Sequence, residues 1–374
     1  MNDQLKFGVI GINGRGAGLA REIAASEQAE VCAVVDLNED AAKALAAETG
    51  GDVWTDYEAM LAKTELDAAV IATPHYLHAP MGMACLEAGL HTFIEKPIAN
   101  TVLEADQLVE LAKVKGVTLG IGHNYRTFPG NIAMKKCVDE LGDIHRVLWQ
   151  WIDTRAETYY DRDVWRSMWA YAGGGVLLNQ TSHDIDLLCW MLGEPAEVSS
   201  VIGNWGHKFE VEDTAIASIR FKSGAVASVQ FSICDRPLNY RQVSGDRGTV
   251  EFRDDKRPNS VIPDSLRVGR YGTPMREYIS GKSGIASAPE IAWEDIEVTG
   301  ERRFPPMMPD FIDAVIDGHD PITTGASART TIELINGMIL SGIRKEVVTF
   351  PLDRAAYDAV FDELKEGQAK VERL

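Results

Sequence analysis

Leu5-Lys6-Phe7-Gly8-Val9-Ile10-Gly11-Ile12-Asn13-Gly14-Arg15-Gly16 is the stretch that decides the fold. Leu5–Ile10 is a short apolar run of strand length, and the glycines after it punctuate a turn. Helical patterns follow at Gly16–Ser26 and Glu39–Thr49, separated by a strand pattern at Val31–Asp36. The alternation continues with strands at Ala68–Thr73, His91–Glu95 and Val117–Gly122, and helices at Pro80–Gly89 and Val102–Lys115. Repeated strand–helix units predict an α/β domain over residues 1–124. Its parallel sheet is doubly wound, with right-handed crossovers.

Within the opening turn, Gly11 and Gly16 take the first and third glycine places of G-x-G-x-x-G, and Asn13 sits at the second. Asn tolerates positive φ and Gly14 adds slack, so a tight turn is expected. Backbone N–H groups of Gly11, Ile12, Asn13, Gly14, Arg15 and Gly16 would face a pyrophosphate at the helix N-terminus, where the helix dipole favours negative charge. Asp36 ends the next strand, 20 residues after Gly16, where a carboxylate bonds ribose hydroxyls. It would repel a 2′-phosphate, so NAD is the expected cofactor. Arg15 could accept that phosphate and keeps NADP open.

Beyond residue 125 the pattern changes. Ile144–Thr154, Thr214–Phe221, Ala225–Cys234 and Arg241–Phe252 read as strands with no helices between them. Lys222-Ser223-Gly224 and Gly245-Asp246-Arg247-Gly248 look like hairpin connections. An α+β domain with an antiparallel sheet is expected over 125–374. Residues 254–300, rich in Gly, Ser, Pro and charge, have no assignable pattern, and helices return at Met307–Asp317 and Ala326–Arg344.

Gly173–Gly193, GGGVLLNQTSHDIDLLCWMLG, reads as a glycine-preceded helix with Asn179, His183 and Asp186 on one face. Buried polar groups need partners, so a polar ridge on an otherwise apolar helix points to chemistry. An imidazole is well suited to move protons near neutral pH. Asp186 has two readings: it orients the His183 ring, or it bonds backbone groups at a domain boundary.

Composition narrows the classes. The 374 residues suffice for two domains, 45% are hydrophobic, and no apolar run reaches membrane-spanning length. The chain enters a strand pattern at once, leaving no room for a signal peptide. Five scattered cysteines suggest free thiols in a reducing, cytoplasmic setting. The net charge of −19, from 37 basic and 56 acidic residues, disfavours nucleic acid and anionic membranes as partners.

Thr73-Pro74-His75-Tyr76-Leu77-His78 and Glu95-Lys96-Pro97 follow strands at their C-terminal ends, where open α/β sheets bind ligands. The HxxH pair lacks a third ligand, so no metal is expected there. One of these histidines is expected to line the cofactor pocket and the other to be structural. His91, His123, His145, His207 and His319 read as ordinary residues.

Together GVIGINGRG, TPHYLHAPMGMACLEAGLHTFIEKP, HNYR at His123–Arg126, GGGVLLNQTSHDIDLLCWMLGEP and the closing FIDAVIDGHDPITTGASARTTIELINGMILSG resemble the Gfo/Idh/MocA family of NAD(P)-dependent sugar and polyol oxidoreductases. The resemblance implies a Rossmann domain followed by a domain with a large open antiparallel sheet. Substrate would lie between the domains, and the sheet would join copies into a homodimer or homotetramer. It implies that Lys96 and His183 are catalytic, and that Thr73, Pro74, His78, Glu95 and Lys96 touch the cofactor. Asn179 stands where many members carry aspartate; some nucleotide-sugar dehydrogenases look similar here in having Asn-Gln. An amide cannot take a proton, so a Lys–His pair with an orienting Asn179 is expected.

The expected substrate is a small polyhydroxylated sugar, sugar derivative or cyclitol. Its ring would meet Tyr125 and Arg126 after the last strand, and Arg155, Tyr159, Trp165 and Arg166 in RAETYYDRDVWRSMW, with Lys96, Asn179 and His183 at the reacting oxygen. Trp165 could instead only pack its loop. An NADP-dependent ketosugar reductase and a non-catalytic sensor of NAD or sugar remain as rival readings.

Overall fold

The computed structural model describes residues 4–256, 261–281, 288–301 and 304–374. Met1–Asp3, part of the start read above as lacking a signal peptide, lie outside the described residues. The described residues fall into two compact units. One comprises Met1–Asn124, Ala170–Gly173 and Pro305–Ile332. The other comprises Tyr125–Trp169, Gly174–Phe304 and Glu333–Leu374. A single crossover at residue 125 therefore misses two returns of the chain to the first unit.

The first unit opens with β1 (Leu5–Ile10), α1 (Arg15–Ala24), β2 (Ala29–Val35), α2 (Glu39–Thr49), β3 (Asp52–Trp54) and α3 (Tyr57–Lys63). It continues with β4 (Ala68–Ile71), α4 (His78–Glu87), β5 (His91–Ile94), α5 (Val102–Lys115) and β6 (Leu119–Ile121). The six strands are parallel in the order β3-β2-β1-β4-β5-β6. The order reverses beside β1, so the C-terminal edges of β1 and β4 flank a crevice. β3 and α3 had no visible sequence signal, because three strand residues are too few to show a period. Local chemistry fixes the helix starts. Asn38 caps α2, Asp56 caps α3, and Thr101 with Glu104 forms a capping box on α5.

The rest of the chain runs through α6 (Pro129–Asp139), β7 (Ile144–Thr154), α7 (Glu157–Arg162) and α8 (Trp169–Ala172) to a π-helical turn at Val176–Gln180 and α9 (Ser182–Leu192). Then come β8 (Pro195–Asn204), β9 (Thr214–Phe221), β10 (Val226–Ser232), β11 (Cys234–Gly245) and β12 (Gly248–Asp254). β13 (Ser265–Tyr271), α10 (Met275–Ser280) and β14 (Ile291–Asp295) follow. α11 (Met308–Asp317), α12 (Gly325–Arg344), β15 (Val348–Thr349), α13 (Arg354–Lys365) and β16 (Glu372–Arg373) complete the chain.

Ten strands form one sheet, in the order β14-β13-β12-β11-β7-β10-β9-β8-β15 with β16 beside β8. It is mainly antiparallel, as expected, but β7 and β10 pair in parallel and so do β16 and β8. β9 alternates buried and exposed residues along its length, so one face of that strand is packed and the other open. α11 belongs to the first unit, where Phe311 meets Phe7 and Phe93 edge-on. No helix among the described residues is long and apolar enough to cross a membrane.

Gly173–Gly193 is not one α-helix. Glu212, fully buried, accepts from the N–H of Gly175 and Leu177, and its carbonyl accepts from Val176. The N–H and hydroxyl of Thr181 both close onto the Val176 carbonyl at 2.8 Å, five residues back. That wide loop is the π turn, and it offsets Asn179 from the α-helical phase of His183. The expected shared α-helical face therefore holds for His183 and Asp186 only.

Candidate active site

In the first unit the site begins at the turn between β1 and α1. Gly11 and Gly14 adopt φ of 82° and 73°. Asn13 is not among the positive-φ residues, so Gly14, not Asn13, supplies the left-handed step. A Cβ at Gly16 would lie 1.9 Å from the Gly11 carbonyl oxygen, and one at Gly11 would lie 2.7 Å from Thr73 Cγ2. Only glycines permit so tight a loop beneath the N-terminus of α1.

Asp36 follows β2, and its carboxylate accepts from Ile12 N–H at 3.0 Å and Asn38 N–H at 2.8 Å. A cleft of about 380 Å³ opens beside it, lined by residues that include Ile12, Asn13, Asp36 and Asn38. This glycine cradle and anchored carboxylate fit the pyrophosphate and adenosine ribose of NAD. Arg15 is held by Glu22 at 2.9 Å and lies 3.6 Å from Glu95. Its charge is matched from within, which weakens the case for a 2′-phosphate ligand.

Thr73, Pro74, Glu95 and Lys96 lie after β4 and β5 and are half-buried. Burial pushes the Glu95 carboxyl upward, against the pull of Arg15 and Lys96. His75 and His78 are both buried. His75 Nδ1 meets the Ala172 carbonyl at 2.8 Å. His78 Nδ1 and Nε2 meet the carbonyls of Pro97 at 2.6 Å and Thr73 at 2.8 Å. His78 thus sits between the two ligand-edge loops, with both ring nitrogens facing backbone carbonyls, of which a neutral ring donates to one. Burial holds its pKa below the usual histidine value.

In the second unit the centre is α9. The half-buried His183 ring stacks on Tyr125, with centroids 4.3 Å apart and planes 12° from parallel. Asp186, one turn on, takes a bidentate ion pair from Arg126 at 2.7 and 2.8 Å, both partners being buried. The Arg126 guanidinium is a partner that the sequence reading of Asp186 did not include. Asp184 accepts from Trp149 Nε1 at 2.9 Å and Arg241 Nη2 at 2.8 Å. Arg241 lies 4.5 Å from the rings of both Trp149 and Phe252 and donates to Asn131 Oδ1 at 2.7 Å.

Two residues expected at the substrate have further roles here. Tyr125 is buried and is the platform beneath the imidazole, while Arg126 is buried and pairs with Asp186. Asn179 is buried in the π turn. Arg155, Tyr159, Trp165 and Arg166 do gather. The Arg166 guanidinium lies 4.4 Å from the Trp165 ring and 5.4 Å from the Tyr159 ring, Arg155 lies 6.0 Å from Tyr159, and Gln180 reaches the Tyr159 hydroxyl at 3.5 Å. All four are half-buried. Arg155 also pairs with Asp153, and Arg166 with Asp163.

Sequence reasoning missed Glu212, Arg241 and Asp184. Glu212 is packed so closely that a Cβ at Gly175 would meet its carbonyl oxygen at 2.0 Å. Burial pushes the Glu212 carboxyl up to about 7 despite its N–H donors. Asp184 lies beside other polar residues in the helical pattern and Arg241 among polar residues of a strand pattern, so neither stood out.

Comparison with known proteins matches this architecture. The model of an oxidoreductase family with an NAD-binding Rossmann fold covers residues 5–123, and a GFO/IDH/MocA C-terminal domain covers residues 132–251. A 1,5-anhydro-D-fructose reductase from Ensifer adhaerens is 32% identical over 201 residues, 53% of this chain and 60% of the reductase, so the match spans under two thirds of that relative. A myo-inositol 2-dehydrogenase from Thermotoga maritima is 28% identical over 273 residues, 69% of this chain and 78% of that protein. A crystal structure of a WlbA dehydrogenase from Chromobactrium violaceum, in complex with NADH and UDP-GlcNAcA, superposes with a TM-score of 0.78 at 26% identity, covering 94% of this chain and 98% of the other.

Proposed function

We propose, from the premise that the chain belongs to the Gfo/Idh/MocA oxidoreductase family, that it interconverts a carbinol and a carbonyl on a sugar or sugar derivative. The observation that carries this reading is the His183 imidazole, held flat on Tyr125 by a helix that two buried ion pairs lock in place. When bound, NAD supplies the hydride acceptor or donor. Gly11, Gly14 and Gly16 shape its pyrophosphate cradle, and Asp36 receives its ribose hydroxyls.

His183 takes the hydroxyl proton during oxidation and returns it during reduction. Lys96 donates to the reacting oxygen as negative charge develops on it. Asn179 orients a neighbouring hydroxyl and carries no proton. Arg155, Tyr159, Trp165 and Arg166 meet the rest of the substrate, aromatic faces against C–H and guanidinium groups against oxygen. The aspartate-to-asparagine departure at 179, the Gln180 beside it and the likeness to WlbA favour a nucleotide-linked or acidic sugar over a free inositol.

The test is a panel of free sugars, sugar acids, nucleotide sugars and inositols, read by NADH absorbance. Turnover of one class, lost in His183→Ala, supports the reading. Ligands that shift the melting temperature but never change absorbance would instead mark a sensor.

We further propose that copies associate through the open face of the large sheet. Val201 and Ile216 are register partners on β8 and β9, and they are 63% and 49% exposed. Ile216→Asp should leave a monomer by light scattering. The free cysteines suit a reducing, cytoplasmic compartment.

A further inference from the structure

His207 was read from sequence as an ordinary residue. In the structure it joins Asp213 and Cys234 in a group whose three donor atoms lie within 4.8 Å of one another. We propose that His207 Nδ1, Asp213 Oδ2 and Cys234 Sγ form a site for a thiophilic divalent cation, zinc first. The cation would pin the β8–β9 connection to the start of β11. The proposal is independent of the hydride-transfer reading.

Donor spacing is the first argument. Cys234 Sγ lies 3.6 Å from His207 Nδ1, which lies 3.1 Å from Asp213 Oδ2. Tetrahedral zinc with bonds of about 2.3 Å to sulfur and about 2.0–2.1 Å to nitrogen and oxygen sets those separations at roughly 3.6 and 3.3 Å. Two of the three donor separations thus already stand near the spacing a zinc ion requires, and the third lies within 4.8 Å.

Hydrogen-bond accounting is the second. His207 Nε2 lies 2.7 Å from the Arg155 carbonyl, which can only accept, so Nε2 carries hydrogen. Without metal, Nδ1 carries a proton that it donates to the Asp213 carboxylate, and a cation between them would take that proton's place. A ligating imidazole that donates its other N–H to a carbonyl is the usual outer-shell arrangement at metal sites.

Preorganisation is the third. Asp213 is fully buried and receives the N–H groups of Trp205 at 2.8 Å, Gly206 at 2.9 Å and His207 at 3.1 Å. A Cβ at Gly206 would lie 3.3 Å from Cys234 Sγ, so the loop closes directly over the thiol. A mixed sulfur, nitrogen and carboxylate set suits zinc better than magnesium or calcium. Binding releases the Cys234 thiol proton and the His207 Nδ1 proton to solvent, and thiolate plus carboxylate then balance the two positive charges. The competing arrangement is a metal-free imidazolium–Asp213 ion pair with a bystander thiol.

The experiment strips the full-length chain with a chelator, dialyses it against zinc or cobalt, and counts metal per chain by mass spectrometry. One zinc per chain, a thiolate-to-cobalt absorption band, and loss of that band in Cys234→Ser but not in Cys32→Ser are expected. Zinc should also raise the unfolding midpoint, since it binds only the folded arrangement. A readout on the unaltered protein guards against misfolded variants: bound zinc should slow alkylation of Cys234 at least tenfold. Substoichiometric zinc, an unchanged cobalt band in Cys234→Ser, or equal alkylation with and without zinc overturns the proposal.

Discussion

The turn after β1 and the segment leading into α9 both begin with glycines, yet they work in opposite ways. At the turn, function resides in backbone: two positive-φ glycines, and a Gly16 so close to the Gly11 carbonyl that no side chain fits. At α9, the proposed function resides in a side chain, and Gly175 serves to admit Glu212. The first region is specified within a few residues. The second needs Tyr125, Arg126, Trp149, Glu212 and Arg241, brought in from distant parts of the sequence. A backbone site can be built locally, whereas a proton-transfer site must be braced from many directions.

This contrast predicts a ladder of effects. His183→Ala and Lys96→Ala should each lower kcat by about 10²–10⁴, the usual contribution of positioned acid–base groups. Steady-state kinetics giving less than about tenfold for both would break the assignment. Arg126→Ala removes the guanidinium from the buried Asp186 carboxylate and should destabilise the chain by about 3–5 kcal/mol in denaturant titrations. A change within experimental error would mean that α9 is not braced by this pair.

Effects at the turn should be smaller and confined to the cofactor. Asp36→Ala removes a charged acceptor worth roughly 1.5–3 kcal/mol, so the NAD-over-NADP preference measured by calorimetry should fall by about tenfold or more. An unchanged preference would return Arg15 to consideration. Gly16→Ala forces the loop to shift, at a cost of about 1–3 kcal/mol. It should weaken NAD by roughly ten- to hundredfold while leaving sugar-induced melting shifts intact. Loss of both would show that the two regions are not separable as described.

The same contrast explains what could be read in advance. Strand–helix alternation placed β1, β2, β4, β5 and β6 to within one or two residues at nearly every end, because buried parallel strands are short apolar runs. Thr214–Phe221 and Ile144–Thr154 were legible through alternation along a half-buried sheet. β8 was not, since its run begins at Pro195 and merges with the end of the preceding helical pattern. The π turn was hidden because Asn179 and His183 satisfy helical spacing, and only Glu212, more than thirty residues on, shows why the chain widens there. The Arg126–Asp186 pair was hidden because an arginine in a loop after a strand gives no sign of an acid waiting sixty residues downstream.

The return of α11 to the first unit bears on how this nucleotide half could be exchanged between proteins. Glu22 on α1 accepts the N–H groups of Met307 and Met308 at 2.7 and 3.1 Å, and Phe311 fills the space against Phe7 and Phe93. A transplant cut after Asn124 would expose those rings and strip two N–H donors from that carboxylate, leaving it to Arg15. A viable chimera must carry three non-contiguous fragments, so recombination at one breakpoint would yield an incomplete nucleotide half.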